Sequence, residues 1–174
     1  MPDIDDRKIE DLFKDTFENV NNWLHFAEAK NGALVAFNIA ILSALLSTDF
    51  FNNYSLFIAI ICICLLLSTC IALISFSPIL NRLPKKHNDS SERNLLFYSY
   101  IASFDPMEYA KQIYLTYFNY TNESSIDIEP LYLDYAKEIV SNSRIAVKKL
   151  KMFKLSLLID IIAVLLCIIM IICA

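Results

Sequence analysis

Glycine is almost missing from this chain. Gly32 is the only one in 174 residues, where soluble domains average about 7%. Tight hairpins and sheet bulges draw on glycine's conformational freedom, so its scarcity argues for an all-α chain. It also excludes a glycine-rich phosphate cradle. The two histidines, His25 and His87, stand far apart. There is no HExxH, no GxSxG and no Cys/His pair at useful spacing, so no catalytic or metal-binding constellation is expected. Met1–Lys30 lacks the basic start and short apolar core of a secretory signal. It carries Asp3, Asp5, Asp6, Glu10, Asp11, Asp15, Glu18 and Glu28 against Arg7, Lys8, Lys14 and Lys30. The five cysteines offer no disulfide framework. Cys62, Cys64 and Cys70 share one apolar run and Cys167 and Cys173 another, where they read as small, soft packing side chains.

Apolar residues are what the chain has in excess. They make up 56% of it, with a mean hydropathy of +0.46, and they gather in three blocks. Residues 32–48 form the first, with Asn38 its one clearly polar member. Residues 54–76 form the second, which at 1.5 Å per residue reaches about 34 Å and crosses a hydrocarbon core of about 30 Å with some tilt. Pro78 stops it. Residues 155–174 form the third, broken only by Asp160. The fold class expected is an all-α membrane protein with three transmembrane helices, whose long helices continue into a cytoplasmic helical domain.

The net charge of −4 says less than the placement of the charges. All fifteen basic residues fall before the first block or between the second and third. The turn at 49–53 and the C-terminal end have none. The positive-inside rule then places 1–31 and 77–154 in the cytoplasm, the N-terminus inside and the C-terminus outside. The lipid bilayer is the first partner expected.

Two helical seams flank the spans. Ile9, Phe13, Thr16, Val20, Trp23 and Ala27 repeat at steps of 4, 3, 4, 3, 4, one face of a helix. Only Gly32 interrupts the pattern before the first span, which predicts one helix from about Asp5 to Thr48. Tyr132, Ala136, Ile139, Ser143, Ala146, Leu150 and Phe153 make a matching seam, which predicts a helix from Glu129 through Ala174. The seams pack as a stalk, within one chain or between subunits. A third helix starts at Asp105-Pro106-Met107-Glu108, with Asp105 as cap and Pro106 in the first turn, and ends near Asn119. Residues 81–91 and 120–128 read as loops, and 93–102 as either a short helix or an extended piece.

Asp160 and Asn38 are the polar residues inside the spans. Asp160 lies six residues past Lys154, about 9 Å along a helix, and Asn38 eight past Lys30, about 12 Å. They can meet at similar depth, as the lining of a pore or gate or as a structural hydrogen bond between spans. Arg144, Lys148, Lys149, Lys151 and Lys154 cluster beside the third span, as an inside anchor or an anionic-lipid contact. Eight of nine tyrosines fall in 98–135. They suit either base stacking or the core of a small domain.

Three stretches carry a resemblance. The first is Trp23-Leu24-His25-Phe26-Ala27-Glu28-Ala29-Lys30-Asn31-Gly32-Ala33-Leu34-Val35-Ala36-Phe37-Asn38, entering the first span. The second is Asn94-Leu95-Leu96-Phe97. The third is Glu138-Ile139-Val140-Ser141-Asn142-Ser143-Arg144-Ile145-Ala146-Val147-Lys148-Lys149. Together they resemble the membrane effectors of Pycsar, a bacterial antiphage system, over nearly the whole chain.

The resemblance implies an effector that is not an enzyme. A partner cyclase makes a cyclic pyrimidine mononucleotide, cyclic UMP or cyclic CMP, on infection. The effector senses it and impairs the inner membrane, an abortive infection. Continuous helices joining sensor and spans would carry the signal as levers. The ligand or switch residues are sought where the motifs meet: Glu28, Lys30 and Asn31 on one helix, Asn142 and Arg144 on the other, with stalk packing as the alternative role. Three helices are too few to enclose a pore, so a homo-oligomer is expected. Nucleic acid is not expected as a partner. A constitutive small channel or transport subunit and a non-conducting scaffold are the competing classes.

Overall fold

The computed structural model describes residues 4–47, 55–77, 94–118, 120 and 126–173. The expected turn at 49–53 and loop at 81–91 lie outside them, as does most of the expected loop at 120–128. Among the described residues there are five helices and no strand: α1 (Ile4–Leu46), α2 (Ser55–Ile74), α3 (Tyr98–Ile101), α4 (Pro106–Tyr117) and α5 (Pro130–Cys173). Three of them, α1, α2 and α5, are long and apolar enough to cross a membrane.

α1 runs through Gly32 without a break. A Cβ on Gly32 would meet only Phe76 Cζ at 3.9 Å, an ordinary contact, so neither space nor backbone requires glycine there. α4 begins as its residues dictate. The Asp105 carboxylate accepts from the Met107 N–H at 3.0 Å, Pro106 opens the helix, and Glu108 lies in the first turn. Within the expected segment 93–102, the described residues 94–102 form a turn and a short helix. Asn94 Oδ1 accepts from the Leu96 N–H at 2.9 Å, the Phe97 N–H bonds the Asn94 carbonyl, and α3 follows.

The chain divides into two compact units, residues 1–25 with 79–147 and residues 26–78 with 148–174. α1 and α5 each contribute residues to both.

The first unit is built around the two seams. Ile9, Phe13, Thr16 and Val20 of α1 are buried, as are Tyr132, Ala136, Ile139, Ser143 and Ala146 of α5. Phe13 stacks on Tyr132 with centroids 5.6 Å apart. Ile101 of α3 and Tyr109, Ile113 and Tyr114 of α4 complete the core. Each such large side chain contributes about 1.5–3 kcal/mol by leaving water. Tyrosines fill this core: Tyr109, Tyr114 and Tyr132 are buried, and Tyr98, Tyr100 and Tyr135 pack against them.

The second unit packs Ile58, Ile61 and Leu65 of α2 against Ala163 and Met170 of α5, with Ile41, Leu42 and Leu45 of α1 alongside. Its outer faces are as apolar as its core. Leu56 is 71% exposed and Ile172 78%. Helices apolar all round suit hydrocarbon and not water.

Candidate functional site

The seams continue into the second unit, and there they turn polar. On α1 the buried positions are Ala27, Asn31, Leu34 and Asn38; on α5 they are Lys149, Ser156, Asp160, Ala163 and Met170. On α2 they are Ile58, Ile61, Leu65, Ser68 and Ala72, with Ser75 buried in the turn just after it. The 3–4 spacing that buries Leu and Ile therefore also buries two amides, an ammonium, a carboxylate and three hydroxyls.

Asn38 and Asp160 come together at one cluster. Asn38 Nδ2 donates to Ser68 Oγ and to Thr69 Oγ1, both at 3.2 Å. Ser68 Oγ donates to the Ser156 carbonyl at 3.1 Å, and Ser156 Oγ returns a bond to the Ser68 carbonyl at 3.2 Å. This reciprocal pair ties α2 to α5. Ser68 and Asn38 are the polar neighbours of the Asp160 carboxylate. Asp160 is 2% exposed and Asn38 fully buried. Ser68 and Asn38 lie within hydrogen-bonding reach of that carboxylate, but with their hydrogens directed as above the Asn38 Oδ1 and both Asp160 oxygens are left without a donor among the described residues.

Glu28, Lys30 and Asn31 lie in the same unit, about two to three turns before Asn38 on α1. Lys149 Nζ reaches Glu28 Oε1 at 2.8 Å. The lysine side chain is 7% exposed and the glutamate side chain 39%. Asn31 Nδ2 donates to the Ala27 carbonyl at 2.9 Å and to the Lys149 carbonyl at 3.3 Å. Lys30 Nζ sits over two rings, Phe26 at 4.4 Å and Phe153 at 5.1 Å. Lys149 also faces the Phe76 ring at 5.6 Å.

Asn142 and Arg144 lie in the first unit and have other partners. Asn142 Nδ2 donates to Asn21 Oδ1 at 2.9 Å, linking α5 to α1. Arg144 donates from Nε to the Ala102 carbonyl at 3.2 Å and from Nη2 to the Phe104 carbonyl at 2.6 Å. It thereby satisfies the chain just past α3. Burial opposes the Arg144 charge, and Asp105 nearby supports it.

An aromatic group stands beside these. Trp23 packs edge-on to Phe97 at 6.1 Å and against Tyr98 at 4.8 Å. The Tyr109 hydroxyl donates to the Leu95 carbonyl at 3.0 Å, and burial pushes this phenol above its ordinary pKa, so it stays a donor.

Sequence reasoning named Glu28 and Lys149 but not their pairing, and passed over Ser68 and Ser156. The signals were present. Ser156 lies one turn before Asp160 on the same face, and Ser68-Thr69 is a hydroxyl pair inside an otherwise apolar helix. Lys149 falls on the buried face of α5 while Lys148 and Lys151 beside it are exposed.

Three apolar helices, two of them shared with an aromatic-cored helical unit, define a membrane protein with a folded helical part outside the apolar segments. The chain belongs to the Pycsar effector family: the family model described as PycTM, Pycsar effector protein domain, matches residues 12–174. It is thus a transmembrane effector of antiviral defence. No curated protein and no solved structure matches it.

Proposed function

We propose that the protein responds to a cyclic pyrimidine mononucleotide, cyclic UMP or cyclic CMP, by impairing the inner membrane and ending infection through death of the host cell. Membership of the Pycsar effectors carries this reading, since that context implies a cyclic nucleotide signal from a partner cyclase. The protein acts without catalysis of its own. Three helices do not enclose a pore, so the active form is a homo-oligomer in the bilayer. The charge distribution supports a cytoplasmic N-terminus and an outward C-terminus.

Sensing belongs to the aromatic-cored unit. Its Asn142–Asn21 pair is a polar link between α1 and α5, both of which run on as apolar helices. A ligand that favours one arrangement of this link over another shifts the population of the whole effector. Arg144, held by two carbonyls, fixes the register of α5 beside it. Glu28, Lys30 and Asn31 serve as the polar root of the apolar segments, and Asn38 with Asp160 as the gate.

The test is co-expression with a pyrimidine cyclase in bacteria. The wild-type chain is expected to stop growth only when the cyclase is active. Asn142→Ala is expected to abolish that toxicity at unchanged protein level. Unchanged toxicity of the variant contradicts the switch, and toxicity without the cyclase favours a constitutive channel instead.

A further inference from the structure

The cluster around Asp160 has more acceptors than hydrogens. The two Asn38 amide hydrogens go to Ser68 and Thr69. The Ser68 hydrogen goes to the Ser156 carbonyl, the Ser156 hydrogen to the Ser68 carbonyl, and the Thr69 hydrogen to the Leu65 carbonyl at 2.8 Å. Three buried oxygens remain: Oδ1 of Asn38 and both carboxylate oxygens of Asp160. Buried acceptors without donors are rare in folded proteins, and each calls for an explanation. Turning the Ser68 hydroxyl toward Asp160 supplies one hydrogen but no charge.

Charge is the harder requirement. Asp160 makes no ion pair among the described residues, and the nearest lysines on its own helix and on α1, Lys154 and Lys30, are about 9 Å and 12 Å along their helices from Asp160 and Asn38. An isolated carboxylate in apolar surroundings must be paired, coordinated or neutralised. A water molecule brings hydrogens without compensating the charge.

We propose that Asp160, Asn38 and Ser68 form a binding site for one monovalent metal cation of the sodium class. The donors are all hard oxygens: a carboxylate, an amide carbonyl and a hydroxyl with one lone pair left beside the bond it accepts from Asn38. Carboxylates and carbonyls select hard cations over soft ones. A single carboxylate balances a single positive charge. Calcium, which takes six to eight oxygens and commonly several carboxylates, would leave net charge in the apolar interior. The site draws on α1, α2 and α5 at once, so an occupying ion joins all three apolar helices. This assignment is independent of any nucleotide response.

The test uses the full chain in lipid nanodiscs at fixed pH and ionic strength, with sodium chloride exchanged for choline chloride. The unfolding midpoint is expected to rise saturably with sodium, by about 5 °C, and not with choline. Asp160→Asn is expected to lose the sodium response while keeping a midpoint in choline at least as high as the wild type's, since a neutral amide needs no counter-charge. Equilibrium retention of radioactive sodium on the wild-type chain, displaced by unlabelled sodium and not by choline, is the readout that needs no variant. Equal midpoints in sodium and choline with no retained sodium overturn the site. A response to pH alone overturns it in favour of a bound proton, and an undiminished sodium response in Asp160→Asn places the ion elsewhere.

Discussion

Lys149 illustrates what one buried charge asks of its surroundings. Its ammonium pairs with Glu28 and also faces the Phe76 ring. Removing the acid strands a buried cation, whereas removing the cation leaves a glutamate that still reaches solvent. Glu28→Gln is therefore expected to cost about 1–2 kcal/mol of stability, discounted from the fully buried case because Glu28 is partly exposed. Lys149→Met is expected to cost less than about 1 kcal/mol, since methionine fills the same stem volume. Thermal unfolding of the two variants in nanodiscs ranks them, and the opposite order contradicts the account. At this scale the sequence was half legible. Asn38 and Asp160 stood out because polar residues are conspicuous in apolar runs, and the structure brings them to one cluster. Serines and a lysine among several lysines do not stand out, because what distinguishes Ser68, Ser156 and Lys149 is the face they occupy.

Helix lengths were the most legible feature, for a physical reason. The steps of three and four that set a seam persist along α1 and α5 whatever surrounds them, and nothing in either run breaks the backbone. α1 was expected from about Asp5 to Thr48 and spans Ile4–Leu46; α5 was expected over Glu129–Ala174 and spans Pro130–Cys173. Gly32 is the weakest position in α1 by propensity, and only Phe76 Cζ at 3.9 Å lies near its missing Cβ. Gly32→Ala is accordingly expected to stabilise the chain by about 0.5–1 kcal/mol, read as a raised unfolding midpoint; a lowered one would show a need for glycine that this packing does not contain. α3 was not legible. Four residues carry no periodicity, and the piece exists because Leu95 and Ile101 are drawn into the core while Arg144 holds the carbonyls of Ala102 and Phe104. Those contacts join residues some forty positions apart, which no local pattern reports.

The whole molecule joins an aromatic-cored unit to three apolar helices through two helices that belong to both. Composition alone announced the class, because helices with outward faces as apolar as Leu56 and Ile172 suit a bilayer and not water. The tyrosine-rich stretch had two readings in the sequence, ligand stacking or core. The structure assigns Tyr109, Tyr114 and Tyr132 to the core, and leaves Tyr117 and Tyr120 more than 40% exposed. The identity of the signal lies at this scale too, since it concerns what the assembled effector does when the ligand arrives. The most direct measurement is dye release from liposomes carrying the purified protein, with cyclic UMP, cyclic CMP and cyclic AMP added in turn. Release on addition of a pyrimidine nucleotide, with none for cyclic AMP or for no addition, is the predicted result; release without any nucleotide, or none with either pyrimidine, would contradict it.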